Sequence, residues 1–137
     1  MVAQSDASRT GADLIREALR VLLRPGQVTE LRALDAVTPG YGNRPHTVAG
    51  YFDDPAPLAD AAAKLMLRAR GVYVVYNPVA PALLARSANH VRDVTDRDPL
   101  TGNDNVVSRL WLPIDNDPVR PTGICSTDAE HAAALAR

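Results

Sequence analysis

The chain has 137 residues, 46% of them hydrophobic, which is enough apolar material for one core and too little for two independent domains. Its formal net charge is -1, so it lacks the broad basic field with which duplex-binding proteins displace counterions, and any nucleic-acid contact would be local. A single cysteine excludes an intramolecular disulfide and a thiolate zinc cage, and no apolar run approaches the roughly 18 residues that span a bilayer.

The chain opens with a polar segment, and the first regular elements follow it. Residues 1–11 have neither the basic start nor the apolar stretch of a secretory signal, so we expect a disordered tail and a cytoplasmic protein. The remaining residues, 12–137, form the expected domain. Within it, residues 12–24 place apolar side chains at helical spacing until a Pro-Gly pair ends the pattern. Short apolar patterns closed by turn residues predict two strands, at 27–36 and 46–52.

The middle of the chain predicts a helix packed on a sheet. Residues 57–70 form an apolar stripe with charged residues elsewhere on the wheel, which indicates an amphipathic helix. The continuous β-branched and aromatic run 72–76 is typical of a strand buried on both faces, and 81–90 fits a short helix. The stretch 92–105 is rich in aspartate and poor in apolar residues. We expect an exposed flexible loop there, since the ordered ligand spacing of a calcium loop is missing.

The last part of the chain combines an apolar strand pattern with an acidic end. Residues 106–117 predict a strand that finishes at the sequence Asp-Asn-Asp. Residues 127–130 form a capping box, Thr-Asp-Ala-Glu, that opens an alanine-rich helix. Three further residues have ordinary expected roles, namely a core aromatic at Trp111, a small buried side chain at Cys125 and a solvated helix residue at His131.

Asp115 and Asp117 carry the chemistry that the residues indicate most directly. Side chains alternate along a strand, so both carboxylates would point the same way, and Mg²⁺ or Mn²⁺ would relieve their repulsion. Such a cation leaves positions for substrate phosphates, which indicates nucleotidyl transfer. Two alternatives stay open. Asp-Asn-Asp-Pro is also ordinary turn chemistry, and Asp-x-Asp-x-Val matches the opening loop of haloacid-dehalogenase-like phosphatases, although that loop normally lies near the start of a chain.

Four segments of the chain together resemble one protein family. Residues 109–131 run from an apolar segment into Asp-x-Asp-Pro, then an arginine, a glycine and a capped helix, as in the first metal-binding motif of phage- and plasmid-type primase-polymerases. Residues 28–34, 50–54 and 71–79 look like the earlier strands of that group, in the same order. The chain is therefore similar to the N-terminal part of the catalytic domain of the archaeo-eukaryotic primase superfamily.

The resemblance implies a fold, a cofactor and partners. The fold would be of the α/β (α+β) class, with a mixed sheet flanked by helices. Asp115 and Asp117 would hold Mg²⁺ or Mn²⁺, and a complete relative would act on a DNA template and nucleotides, with no membrane involved. Arg32, Arg109 and Arg120 stand at positions where the family also has arginine. Phosphate or nucleotide contacts are one expectation for them, and surface solvation or pairing with carboxylates is the other.

Two departures from the family pattern limit the expected activity. The second family motif, Ser-x-His followed by a third acidic residue, does not occur in the sequence, so we expect a domain truncated after its first metal motif and inactive alone. A downstream polypeptide or a helicase would be its natural partner. Pro113 also removes a backbone donor within the predicted strand. A second hypothesis is a non-catalytic remnant that binds nucleic acid or a partner through an exposed sheet edge.

Overall fold

The structure, a computed structural model, describes residues 9–114 and 117–136. Regular elements in this part of the chain follow one another as helices and strands with these bounds: α1 Gly11–Leu22, β1 Thr29–Ala36, β2 His46–Phe52, α2 Pro55–Met66, β3 Gly71–Val74, β4 Arg92–Val94 and α3 Asp128–Leu135. Short 3-10 helices lie at Pro39–Tyr41, Pro81–Arg86 and Asn103–Asn105. No helix among the described residues has the length and apolar character needed to cross a membrane.

The four strands form one sheet in the order β3-β1-β2-β4, and the three ladders are antiparallel. β1 lies between β2 and β3, so that Leu31 has Gly50 on one side and Val74 on the other. β4 extends the far side of β2, with Arg92 opposite Ala49. Parallel pairing in the described residues is limited to an isolated bridge at the end of β2. The expected α+β class is confirmed, but the expectation of a mixed sheet was wrong, because every ladder among the described strands is antiparallel.

The alternation of β1 decides which side chains are buried between the sheet and the helices. Leu31 and Ala33 share a core cluster with Val48 and Phe52 of β2. The helices add apolar residues to the same cluster, namely Leu19 of α1 and Leu58, Ala59, Ala62 and Leu65 of α2. Burial of one leucine or phenylalanine side chain contributes about 1.5–3 kcal/mol, so this layer supplies most of the apolar stabilisation.

The opposite face of the sheet is covered by the chain that follows β3. Val28 and Tyr51 form a second apolar cluster with Val79 and Leu83. The expected loop at 92–105 belongs to this covering layer, and the expectation of an exposed loop was wrong for part of it. Its first residues form β4, with a buried valine, because they pair with β2, and a 3-10 helix closes it.

β3 differs from the strand that the sequence predicts. It is four residues long and lies at an edge of the sheet, so the expectation of burial on both faces was wrong. Tyr73 is 58% exposed, and its ring lies over Gly71, where an added Cβ would be 2.6 Å from the tyrosine hydroxyl. The run of β-branched and aromatic residues therefore predicts a strand here, but it does not predict a central position in the sheet.

The strand predicted at 106–117 is absent from the described residues. Val106 forms an isolated bridge with Val79, and residues 107–114 have no regular structure. Pro113 has no N–H to donate, so a strand through this position would lack one ladder hydrogen bond. The expected core position of Trp111 was also wrong, since this residue is 42% exposed and lies outside the core. The expected burial of Cys125 was wrong too, since it is exposed.

The ends of the helices follow the expected capping chemistry. The Thr127 hydroxyl accepts a hydrogen bond from the Glu130 N–H, and the Glu130 carboxylate accepts one from the Thr127 N–H, so the predicted capping box of α3 is confirmed. His131 lies exposed on that helix, as expected. Of the expected tail at 1–11, residues 1–8 lie outside the described residues. Thr10 already caps α1 through a box with Asp13.

Candidate functional site

Asp117 is the described member of the predicted carboxylate pair. Asp115 and its neighbour at position 116 lie outside the described residues, so the parallel orientation of the two carboxylates stays a prediction. Asp117 is exposed and has no regular secondary structure. It lines a shallow concave surface of about 250 Å³ with Arg120 and the loop that ends at Gly123. Asp117 and Arg120, one acidic and one basic residue, therefore line the same open surface.

Arg120 is partly occupied by its own loop. Its guanidinium donates to the carbonyl oxygen of Ile124. Gly123 lies in the left-handed region at φ 82°, which lets the chain turn back over the arginine. The remaining donors of the guanidinium are open to solvent, because the residue is exposed. Arg120 is thus held near Asp117 and keeps groups that can bind a phosphate.

The fit of a divalent cation to this surface was judged from its donors. No group of three histidine, cysteine, aspartate or glutamate residues converges among the described residues. Asp117 offers a hard oxygen ligand of the kind that Mg²⁺ and Mn²⁺ prefer, and Mg²⁺ usually keeps several waters and binds only one or two protein carboxylates. Among the described residues Asp117 supplies one carboxylate, and the second predicted ligand, Asp115, lies outside them.

Arg109 lies at a different place, beside the end of β3. It lines a cavity of about 330 Å³ whose walls come from residues 74–77 and from Asn103 and Val106. Its side chain is exposed and has no carboxylate partner among the residues that the structure describes. A free guanidinium next to an open cavity is compatible with the expected nucleotide contact.

Arg32 is engaged within the fold. Its Nε donates to Oε1 of Glu30 at 2.6 Å, and its Nη2 donates to the Thr101 carbonyl at 3.2 Å. The Glu30 side chain is fully buried, and its Oε2 accepts the Thr101 N–H at 2.8 Å. Burial raises the pKa of the Glu30 carboxyl, but the hydrogen bonds from Arg32 and Thr101 outweigh it and hold the pKa below its usual range. Of the alternatives for Arg32, pairing with a carboxylate is the one that the structure has.

Asn77 is a residue that the sequence analysis did not single out. Its Oδ1 accepts the N–H groups of Leu110 at 2.8 Å and Trp111 at 2.9 Å, and its Nδ2 donates to the Trp111 carbonyl at 3.2 Å. The indole of Trp111 donates to the carbonyl of Leu22, at the end of α1, at 2.8 Å. These four bonds fix the irregular segment that leads to the carboxylate pair.

His46 and Asp93 form a second cluster that the sequence did not reveal. Nε2 of His46 lies 2.7 Å from Oδ1 of Asp93, Nδ1 lies 2.9 Å from the Arg44 carbonyl, and the Tyr41 ring stacks on the imidazole at 4.2 Å. Burial lowers the pKa of His46, but the Arg44 carbonyl and Asp93 outweigh it, so the pKa is raised. The Thr38 hydroxyl lies 3.3 Å from Nε2, so the hydroxyl and the Asp93 carboxylate both contact the same ring nitrogen. In a hydrolase triad they contact different nitrogens of the histidine.

Comparisons with protein-family models, curated proteins and solved structures gave no match to this chain. The likeness to primase-polymerases therefore rests on the four sequence segments alone.

Proposed function

We propose that this chain carries the first metal-binding motif of a primase-polymerase and contributes to divalent-metal-dependent nucleotidyl transfer. One observation supports this most. The four resembling segments are far apart in the sequence and lie next to each other in the fold: 28–34 spans most of β1, 50–54 contains the end of β2, and 71–79 contains β3. The fourth, 109–131, begins where Asn77 binds the backbone. β1 pairs with both of the other strands.

The proposal assigns a role to each group near Asp117. When bound, Mg²⁺ or Mn²⁺ would supply positive charge that neutralises the phosphates during transfer. Asp115 and Asp117 would hold the cation through carboxylate oxygens, and the accessible position of Asp117 leaves room for substrate and water. Arg120, which lines the same surface, would bind a phosphate oxygen of the substrate. Template DNA and nucleotides are the corresponding partners.

The chain alone is expected to bind metal and not to synthesise primers. A Ser-x-His sequence does not occur in these 137 residues, so they do not supply the histidine of the second family motif. Primer synthesis by the purified protein, abolished by Asp115→Ala, would show that this part of the proposal is wrong.

The metal site is tested by Mn²⁺ titration, with the free ion followed by electron paramagnetic resonance. We expect saturable binding that Asp115→Ala and Asp117→Ala each weaken about tenfold or more, since each removes a charged ligand. Asp104→Ala is the matched control, because Asp104 is an exposed aspartate away from the motif. Equal Mn²⁺ binding by the wild type and both motif variants would refute the proposal.

A second candidate is a non-catalytic unit that binds nucleic acid or a partner polypeptide. The observation that favours it is the apolar surface around the motif, where Leu112 is 84% exposed and Ile114 is 77% exposed. Side chains of this kind normally mark an interaction surface when they cluster. Titration with single-stranded DNA at low and high salt, with and without Mn²⁺, separates the two candidates. Binding that does not depend on metal favours the second.

A further inference from the structure

A groove of about 530 Å³ lies between α2 and the turn that leads into β4. The lining residues from α2 and the turn after it recur at helical spacing, namely Pro57, Asp60, Ala61, Lys64, Leu65 and Arg68. Thr38 and residues 89–91 complete the lining of this α2 groove. Its volume falls within the range of small-molecule pockets, about 300–1,000 Å³. We infer that the α2 groove binds a small phosphate monoester that carries an apolar group.

Part of the lining is apolar and belongs to the main core. Leu65 is a buried member of the core cluster, and Ala61 and Val91 are partly buried against the same cluster. Pro57 adds a fourth partly buried apolar residue. Because the core holds these side chains in place, they offer a fixed surface on which an apolar substituent is removed from water.

Three polar residues of the α2 groove are already engaged by the protein. Asp60 pairs with Arg16 of α1, with 3.3 Å between Oδ1 and Nη2. The Thr38 hydroxyl donates to Oδ1 of Asp93 at 3.2 Å. The Asn89 amide oxygen accepts backbone N–H groups just before α2. These three residues therefore leave little hydrogen-bonding capacity for a ligand.

The lining residues without such a partner are basic. Lys64 and Arg68 are exposed and form no ion pair with a carboxylate in the part of the chain that the structure describes. Nδ1 of His90 lies 3.0 Å from the Ala88 carbonyl, which can only accept, so Nδ1 carries the proton and Nε2 is left for solvent or a ligand. An ammonium and a guanidinium on the same groove attract an anion, and a phosphate has enough oxygens to bind both.

Backbone hydrogen bonds hold both segments that line the α2 groove. The Arg68 N–H donates to the Leu65 carbonyl at 2.9 Å, and the Arg68 carbonyl accepts the Val37 N–H at 2.8 Å. The Asn89 N–H donates to the Tyr51 carbonyl at 2.8 Å. A groove that is formed before the ligand arrives loses little affinity to ordering of the chain.

The ligand class is tested by calorimetric titration with three probes, without divalent metal. Phenyl phosphate has both features, inorganic phosphate has only the anion, and phenol has only the apolar ring. We expect phenyl phosphate to bind at least about tenfold more tightly than either of the others, since it alone contacts both the cations and the apolar lining. Equal affinity for phenyl phosphate and phenol would overturn the anion site. Equal affinity for phenyl phosphate and inorganic phosphate would overturn the apolar part.

Two substitutions test the location of the site. Lys64→Gln and Arg68→Gln keep a polar side chain at exposed positions and remove one cation each, so each should weaken phenyl phosphate binding about tenfold. Arg120→Gln is the matched control, because it removes the same charge beside Asp117, where a phosphate contact is also proposed. Circular dichroism confirms that each variant is folded. Affinity that survives both groove substitutions, or that Arg120→Gln abolishes, would overturn the inference.

Lys64 also provides a local readout, because it is the only lysine in the chain. Acetylation by an amine-reactive reagent, followed by mass spectrometry, therefore reports on the α2 groove, with the α-amino group as internal control. Saturating phenyl phosphate should slow the acetylation of Lys64 several-fold and leave the control rate unchanged. An unchanged rate at Lys64 would overturn the inference. The metal site is read out separately by Mn²⁺ titration, so either proposal can fail without the other.

Phosphatidic acid, a membrane lipid, has the same two features as the inferred ligand. Sedimentation with vesicles that contain phosphatidic acid distinguishes this source from a small soluble ester. We expect no more protein to sediment with these vesicles than with neutral ones. Binding to the vesicles without binding of phenyl phosphate in solution would overturn the assignment to a soluble ester.

Discussion

His46 joins two parts of the chain through one ring. Its Nδ1 faces the Arg44 carbonyl and its Nε2 faces the Asp93 carboxylate, so both nitrogens meet acceptors and the protonated ring satisfies both. The ring is almost completely buried, while Asp93 is partly open to solvent. The imidazolium form therefore fastens β4 to the start of β2.

The protonation of His46 should make stability depend on pH. The pKa of His46 in the folded protein lies above its ordinary value of 6.5, so its contribution is complete below that pH and is lost as the pH rises through the raised value. We expect the melting temperature of the wild type to fall between about pH 6 and pH 9, and that of His46→Gln to fall less. Parallel curves for the two proteins in thermal melts would contradict this role.

Residue chemistry was partly visible in the sequence. Glu30 and Arg32 are two positions apart on one strand, so alternation alone places them on the same face, and the pairing of Arg32 could be expected. His46 and Asp93 are 47 positions apart, and only the order of the strands brings them together. Asn77 could not be singled out from the sequence, because no local pattern shows that its side chain accepts hydrogen bonds from Leu110 and Trp111.

At the scale of elements, local patterns predicted which segments become helices better than they predicted the sheet. The stripe in α2 and the capping box of α3 are set within a few residues, and both helices formed. β3 was predicted as a strand, but its own sequence does not predict its edge position, because that position depends on how β1 and β2 pair. The apolar run at 106–114 indicated a strand, but in the structure Val106 forms an isolated bridge and residues 107–114 have no regular structure.

The close approach of β2 to the turn after Ser87 depends on a glycine. A Cβ on Gly50 would lie 2.8 Å from the His90 carbonyl carbon and even nearer to its oxygen, and both are backbone atoms that cannot move cheaply. We expect Gly50→Ala to lower the free energy of unfolding by about 1–3 kcal/mol in urea titrations.

Gly102→Ala is the matched control for this prediction. No heavy atom lies within 4 Å of a Cβ at Gly102, and its φ of -109° suits any residue. An effect of Gly50→Ala no larger than that of Gly102→Ala would show that the turn adapts to the added methyl group.

At the scale of the whole molecule, a buried ion pair attaches the covering layer to the sheet. Glu30 and Arg32 of β1 together bind the N–H and the carbonyl of Thr101, which lies about 70 residues later. Thr101 also approaches the Tyr51 hydroxyl at 3.2 Å. The loop that contains Thr101 is therefore held in a defined position on the sheet, although its own sequence is polar.

Removal of Arg32 should damage this attachment. Arg32→Ala leaves the buried Glu30 carboxylate without its cation, and we expect a loss of about 2–3 kcal/mol in urea unfolding at neutral pH. The loss should shrink at acid pH, because the lowered pKa of Glu30 makes its contribution disappear as the pH falls through that value. Arg97→Ala, at an exposed arginine in the same layer, should change stability by less than about 0.5 kcal/mol.

The indole bond of Trp111 has a consequence for the order in which the protein assembles. It connects residues 89 positions apart, so forming it early would cost chain entropy. The bond adds little stabilisation until α1 and the sheet have already formed. The segment should then attach in a late step of folding and detach in the earliest partial opening of the native state. Amide hydrogens of Leu110 and Trp111 would exchange with deuterium well before those of β1, although all of them are hydrogen-bonded.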